Sequence, residues 1–250
     1  MKQNIYDNET FYTLYDEMRN DDKKLSANDL IEIPTIRSML PDLKDKRVLE
    51  LGCGYGDNCA YFSELGAKYI LGTDISEHMI GIAKSTHMNS NCKFQVLAME
   101  DIASIPDKFD LIISSLAFHY VEDFDKLTKD IHRLLKDDGM LIFSQEHPIG
   151  TGTILNDACK DSDNIDLGDK NYYLVSDYNI NGKRIVNWNN CEVIKYHRNF
   201  SYIINTLQKN NFKIEDILEP TPSEEILSKK PRYKNQFDKP FFLFIKARKM

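Results

Sequence analysis

From Val48 to Asp57 the chain reads Val-Leu-Glu-Leu-Gly-Cys-Gly-Tyr-Gly-Asp, and no other stretch restricts the possible folds as strongly. Apolar residues around one acid give way abruptly to glycines at alternate positions, Gly52, Gly54 and Gly56. Val48 to Leu51 reads as the end of a buried strand. Residues without Cβ then let the backbone turn sharply toward a helix and leave bare main chain for a ligand to lie against. The spacing is GxGxG, one residue short of the GxGxxG turn of nicotinamide and flavin proteins, so a dinucleotide is the weaker reading. Glycines serving only a strand-to-helix turn are the competing explanation. Cys53, inside the turn, reads as a small residue packed beneath it rather than a nucleophile.

The next apolar run, Lys68 to Asp74, ends in a carboxylate. It stands roughly twenty residues beyond the glycines, where a βαβ unit presents an acid to ribose hydroxyls. Ser76 can cap the helix that starts at Glu77, which leaves Asp74 free for that task. A third short strand, Phe94 to Ala98, leads into Met99-Glu100-Asp101-Ile102, where a flat apolar side chain beside acceptors suits the reading of an adenine.

These pieces occur in the order of the class I S-adenosylmethionine-dependent methyltransferases, which the sequence resembles over about residues 46 to 146. The resemblance is to the small-molecule group that includes the quinone-biosynthesis enzymes. It is carried by Glu50 to Gly56, Gly72 to Ser76, Met99 to Ile102, Phe109 to His119, and Leu134 to Phe143 with its Gly139. The resemblance implies an α/β fold: a Rossmann-like seven-stranded sheet with helices on both faces and an antiparallel C-terminal strand pair, here with a β-rich lid insertion. It implies S-adenosyl-L-methionine as cofactor and S-adenosyl-L-homocysteine as product. The cofactor-binding residues it implies are Glu50, Gly52, Cys53, Gly54, Gly56, Asp74, Ile75, Met99, Glu100, Asp101 and Ser115.

The 250 residues, 42% hydrophobic and 28% charged, suit one globular domain. No apolar run approaches the length of a membrane span, and residues 1–7 lack the apolar core of a secretory signal, so a cytoplasmic protein is expected. Five cysteines, none in a CxxC pair, favour neither a disulfide framework nor a metal site. A net charge of −7 argues against nucleic acid as partner. The basic run Lys229 to Lys234 reads as a solvated loop. A small-molecule acceptor and a monomer or homodimer are the expected partners.

Four parts follow in order. Residues 1–46 form an N-terminal helical cap, in which Tyr12 and Tyr15 either close the pocket or simply pack. Residues 47–146 form the cofactor-binding core, with helices expected at 57–65, 77–86 and 124–136. Residues 147–199 are read as a lid insertion over the acceptor site, with a decorative extension or a dimer contact as the competing reading. There the Asn181-Gly182 step predicts a hairpin between 172–175 and 183–188, followed by a further strand at 192–198. Residues 200–250 supply a helix and two strands, 212–218 and 241–245, which with no helix between them should pair antiparallel. His119, His147, Glu146 and His197 are candidates for a base or substrate contact, with structural hydrogen bonding the competing role. Tyr120, Trp188 and Tyr196 are candidates for contact with the acceptor, against ordinary packing. A non-catalytic cofactor-binding protein and an aminopropyl-type transferase are the alternatives on the same fold.

Overall fold

The computed structural model describes residues 2–20, 26–87, 89–153, 164–166, 171–173, 175–188 and 191–250. Its centre is a seven-stranded sheet in the order β10-β11-β5-β4-β1-β2-β3. The strands are β1 (Arg47–Leu51), β2 (Tyr69–Asp74), β3 (Cys92–Val96), β4 (Phe109–Ser114), β5 (Leu135–Glu146), β10 (Phe212–Leu218) and β11 (Phe242–Lys249). The first five pair parallel, and β11 lies antiparallel between β5 and β10. Val48, Leu49 and Leu51 of β1 are fully buried because both faces of the central strand are covered, so it reads as a continuous apolar run. The chain order reverses between β1 and β4, and a crevice opens outside their C-terminal ends at such a point.

Helices cover both faces, and local chemistry sets their ends. Helix α3 (Asp57–Glu64) starts directly after Gly56, and α4 (Glu77–His87) is capped by Ser76, whose Oγ accepts the Met79 N–H at 3.0 Å. Helix α5 (Phe124–Leu134) carries Asp123 as its N-cap, accepting from Lys126 N at 2.8 Å, and buries Phe124, Leu127, Ile131 and Leu134 along one stripe. Helix α7 (Phe200–Lys209) repeats the pattern, with Asn199 as cap and Ile203 and Leu207 inward. Ahead of the sheet, α1 (Glu9–Asn20) is followed by a π-helical turn (Asn28–Glu32) that runs into α2 (Ile33–Ser38). Among the described residues no helix is long and apolar enough to cross a membrane.

Several expectations are corrected. The helix expected to reach residue 136 ends at Leu134, and Gly139 lies within β5. A Cβ there would sit 2.9 Å from Lys136 O, so the site needs glycine for close packing. Between β10 and β11 the chain forms α8 (Glu224–Lys229) and a 3₁₀ turn (Pro231–Phe237) that buries Tyr233, so the basic run 229–234, apart from Lys230, is helical rather than loop. In the insertion a short helix α6 (Pro148–Thr151) precedes β6 (Asn164–Asp166) and β7 (Asn171–Tyr173), which pair with each other. The hairpin joins β8 (Gly182–Trp188) to β9 (Cys191–His197), so the Asn181-Gly182 step opens β8 instead of turning between two paired strands. Much of 154–170 lies outside the described residues.

Candidate active site

The glycine turn is built by hydrogen bonds to β2. Gly52 N and Cys53 N both donate to Thr73 O, at 2.8 and 2.9 Å, which locks the end of β1 against its neighbour. Gly52 and Gly54 take left-handed φ of 72° and 52°. Their surroundings differ. A Cβ on Gly52 would lie 2.7 Å from Ala117 Cβ, whereas a Cβ on Gly54 would meet nothing within 4 Å and would project into a cavity.

Two acids flank the turn. The Asp74 carboxylate accepts from Gly54 N at 3.0 Å and from Ser76 N at 2.9 Å, so it is not free as the sequence suggests. It pins the glycine turn to α4 and still lines the cavity; burial pushes its pKa up. Glu50 accepts from Asn58 Nδ2 at 3.0 Å and from Cys59 Sγ at 2.9 Å, and burial pushes it up to about 7.

The cavity, about 290 Å³, runs along the C-terminal ends of β1, β2 and β4. On one side stand Ile75, Leu97, Met99 and Glu100; at the glycine turn stand Glu50, Asn58, Ser115 and, unforeseen, Asn28 and Glu32. The Ser115 hydroxyl donates to Glu32 Oε1 at 2.8 Å and the Ser144 hydroxyl donates to the same oxygen, which ties the N-terminal turn to β4 and β5. Aromatic side chains line it as well, Tyr6, Tyr15, Tyr120 and Trp188, together with His119 and Glu146. Tyr6 and Tyr15 meet edge to face at 5.2 Å, as do Tyr15 and Trp188 at 6.2 Å. Burial raises the pKa of both Tyr6 and Tyr120, keeping these phenols neutral. Burial also pushes Glu146 up, but the Lys195 ammonium bonded to it outweighs this and holds the carboxyl below its ordinary range. A second cavity, about 460 Å³, meets the first at Glu146, Trp188 and Phe242 and continues under the β8–β9 hairpin.

The N-terminal segment roofs the first cavity and is fastened on both banks. Gln3 exchanges two hydrogen bonds with the Ile194 backbone of β9, at 2.6 and 3.1 Å. Asp7 accepts from Glu77 N and His78 N, each at 3.2 Å, and so caps α4 from a remote part of the chain.

Comparison with known proteins places this geometry. Residues 49–143 match the methyltransferase domain family. A solved S-adenosylmethionine dependent methyltransferase from Mesorhizobium loti is 30% identical, superposes with a TM-score of 0.80, and is matched over 91% of this chain and 100% of its own. The chain belongs to the S-adenosylmethionine-dependent methyltransferases. An uncharacterized protein of Haemophilus influenzae is 38% identical to this methyltransferase over 100% of the chain and 98% of that protein. The malonyl-[acyl-carrier protein] O-methyltransferase of Bacillus cereus is 30% identical over 52% of this chain; the match spans about half of that relative, 47%.

The residues of this methyltransferase fit its cofactor. The bare face of Gly54 leaves room that any side chain would fill. The described residues lining the cavity include six carboxylates and no lysine or arginine, an environment that favours a sulfonium and an ammonium over an anion. Among the sequence candidates, Glu50, Gly52, Cys53, Gly54, Asp74, Ile75, Met99, Glu100, Ser115, His119, Tyr15, Tyr120, Glu146 and Trp188 line the cavity together.

The remaining candidates lie elsewhere, each for a physical reason. Gly56 faces Phe94, where a Cβ would sit at 2.8 Å. Asp101 pairs with Lys2, Tyr12 packs on His78 at 3.8 Å, and the Tyr196 hydroxyl donates to Glu122 at 3.3 Å. His147 accepts from Ile149 N through Nδ1 and meets Glu219 through Nε2 at 2.7 Å. His197 is held by Thr151 Oγ1 at 2.7 Å and Tyr178 O at 2.8 Å. Both imidazoles thus spend both nitrogens on structure. Asn28, Glu32 and Tyr6 were missed because their proximity to the glycine turn exists only in the fold; the acid and serine pairing carries no sequence signal.

Proposed function

We propose that this enzyme transfers a methyl group to a small-molecule acceptor bound beside the aromatic side chains of the cavity. The observation that carries the reading is the make-up of one continuous cavity. A bare glycine face with acids shares it with neutral aromatic side chains, one histidine and the Glu146 carboxylate. S-Adenosylmethionine supplies the chemistry, an electrophilic methyl carbon on a sulfonium. Asp74 would hold the ribose with the acceptor capacity its two backbone donors leave, Ile75, Leu97, Met99 and Glu100 would hold the adenine, and Gly52, Gly54, Glu50 and Ser115 the amino-acid part. Tyr15, Tyr120 and Trp188 would orient the acceptor, and the fastened N-terminal segment would keep water out. Orientation and exclusion of solvent are the main service a protein offers such a displacement, worth about 7–11 kcal/mol at best.

Several features support a small acceptor. The roof leaves a cavity of about 290 Å³, at the lower edge of sizes typical for small-molecule sites, and the adjoining cavity extends it by about 460 Å³. The acidic lining disfavours a polyanion. Incubation with methyl-labelled S-adenosylmethionine and a fractionated metabolite extract tests the proposal. Label is expected in a low-molecular-weight fraction; label found only in protein or nucleic acid would sink it.

A further inference from the structure

His119 sits on the 3₁₀ turn Phe118–Tyr120 that follows β4, is 4% exposed, and lines the cavity together with the aromatic side chains. Its Nδ1 accepts the backbone N–H of Glu146 at 3.4 Å. We propose that His119 acts as a neutral hydrogen-bond donor through Nε2–H to an oxygen of the acceptor, beside the atom that is methylated, and not as the base that deprotonates it. The inference rests on reading the cavity beside those side chains as acceptor space.

The geometry excludes the other two states of the ring. A neutral imidazole whose Nδ1 accepts carries its proton on Nε2. A base acting through Nε2 needs the Nδ1–H tautomer before the reaction and the doubly protonated ring after it. Both would set an Nδ1–H against the Glu146 N–H, donor facing donor. The surrounding charges divide: one carboxylate favours protonation of the ring and two cations oppose it. The Glu146 carboxylate faces the ring from the end of β5, the Lys195 ammonium from β9, and the Arg198 guanidinium from just past β9, while Tyr120 packs on it at 4.3 Å. Burial pushes the imidazole down to about 4; Glu146 opposes this, and the two cations reinforce it. Strand β9 thereby helps keep His119 neutral, and Lys195 acts as a positioning residue because it binds Glu146.

The acceptor class follows. It carries an oxygen with an accessible lone pair next to its nucleophilic atom, and it gives no proton to His119. Transfer forms the bond from that atom to the methyl carbon and breaks the carbon–sulfur bond; any proton on the nucleophile leaves by another route, and His119 is unchanged.

The test is nitrogen-detected NMR of the histidine-labelled full chain saturated with S-adenosylhomocysteine, followed between pH 5.5 and 8.5. The expected result is an Nε2–H tautomer for His119 that does not titrate in that window. In Lys195→Met, with both chains followed further down to pH 4, the midpoint should rise, because one of the two cations is gone. An Nδ1–H tautomer, or an imidazolium forming near pH 6.5 in the native chain, overturns the proposal. A midpoint unmoved in Lys195→Met removes the part of β9 in it. With the acceptor fraction from the labelling experiment, His119→Gln, which keeps an N–H near the Nε2 position, should retain a tenth or more of turnover. His119→Leu should lose about a hundredfold, because the acceptor is then no longer held in line with the methyl group. Equal loss in both variants would contradict the donor role. Calorimetric binding of S-adenosylhomocysteine separates the two failures: without binding the cavity reading fails, and with binding but a titrating His119 only the donor assignment fails.

Discussion

Gly54→Ala and Gly52→Ala should separate binding from folding, although the two positions are two residues apart in one turn. Both glycines have left-handed φ, so either alanine costs about 1–2 kcal/mol of backbone strain. For Gly54→Ala that is the whole structural cost, because the new methyl meets no protein atom within 4 Å. At about 2–4 °C per kcal/mol in a chain of this size, the melting temperature should fall by roughly 2–8 °C. The methyl points into the cavity, however, so the affinity for S-adenosylhomocysteine should fall at least tenfold, a loss of about 1.4 kcal/mol or more. For Gly52→Ala the new methyl would collide with Ala117 at 2.7 Å, adding about 1–3 kcal/mol of overpacking to the strain. That variant should lose about 2–5 kcal/mol of stability, and its binding loss should follow from distortion of the turn. Scanning calorimetry and isothermal titration on both variants give the four numbers. A Gly54→Ala protein that melts lower but binds S-adenosylhomocysteine as tightly as the native chain would refute the reasoning, because the open face would then not touch the ligand.

Other outcomes follow from named contacts. Glu50, raised from about 4.5 to about 7, binds more protons folded than unfolded between those pH values, so the ligand-free protein should lose up to about 3 kcal/mol as pH rises through that window. Glu50→Gln should therefore melt higher than the native chain at pH 8 and yet bind S-adenosylmethionine more weakly, since it offers the ligand's ammonium no charge. Equal binding would remove Glu50 from the site. Asp7→Ala removes the remote cap of α4, which should cost about 1 kcal/mol and speed release of S-adenosylhomocysteine in stopped-flow measurements. Arg198 donates to the carbonyls of Phe118, Val121 and Glu122. Arg198→Met should cost about 3 kcal/mol, read as a fall of roughly 6–12 °C in melting temperature. Asp74→Ala should reduce both stability and affinity, since the carboxylate holds Gly54 N and Ser76 N as well as facing the cavity.

The core of this fold is legible in the sequence because its signals are local. A buried strand, a glycine turn and a capped helix are each encoded within about ten residues, and Gly52 to Gly56, Asp74, Ser76 and Asp123 fall where those rules put them. Contacts between distant segments leave no such trace. Nothing near Asn28, Glu32 or Tyr6 in sequence announces that the N-terminal segment roofs the crevice, and nothing near Asp74 announces that Gly54 N would reach its carboxylate. The histidines show the same limit. Placement after strand ends made His119 and His147 look equivalent, but His147 follows β5 into a helix start that uses its Nδ1 as a cap, while His119 is turned toward the cavity. The insertion was legible as strands but not as pairs, since Asn181-Gly182 satisfies turn chemistry without revealing that β8 would pair onward with β9.

In the proposed site the cofactor lies along the ends of β1 and β2, its ribose at Asp74 and its amino-acid part against the bare backbone of Gly54. A crystal structure of the chain grown with S-adenosylhomocysteine tests this most directly. The account predicts that compound in the cavity with a ribose oxygen within hydrogen-bonding distance of Asp74. Density for it elsewhere on the molecule, with the Gly54 face left bare, would contradict the account.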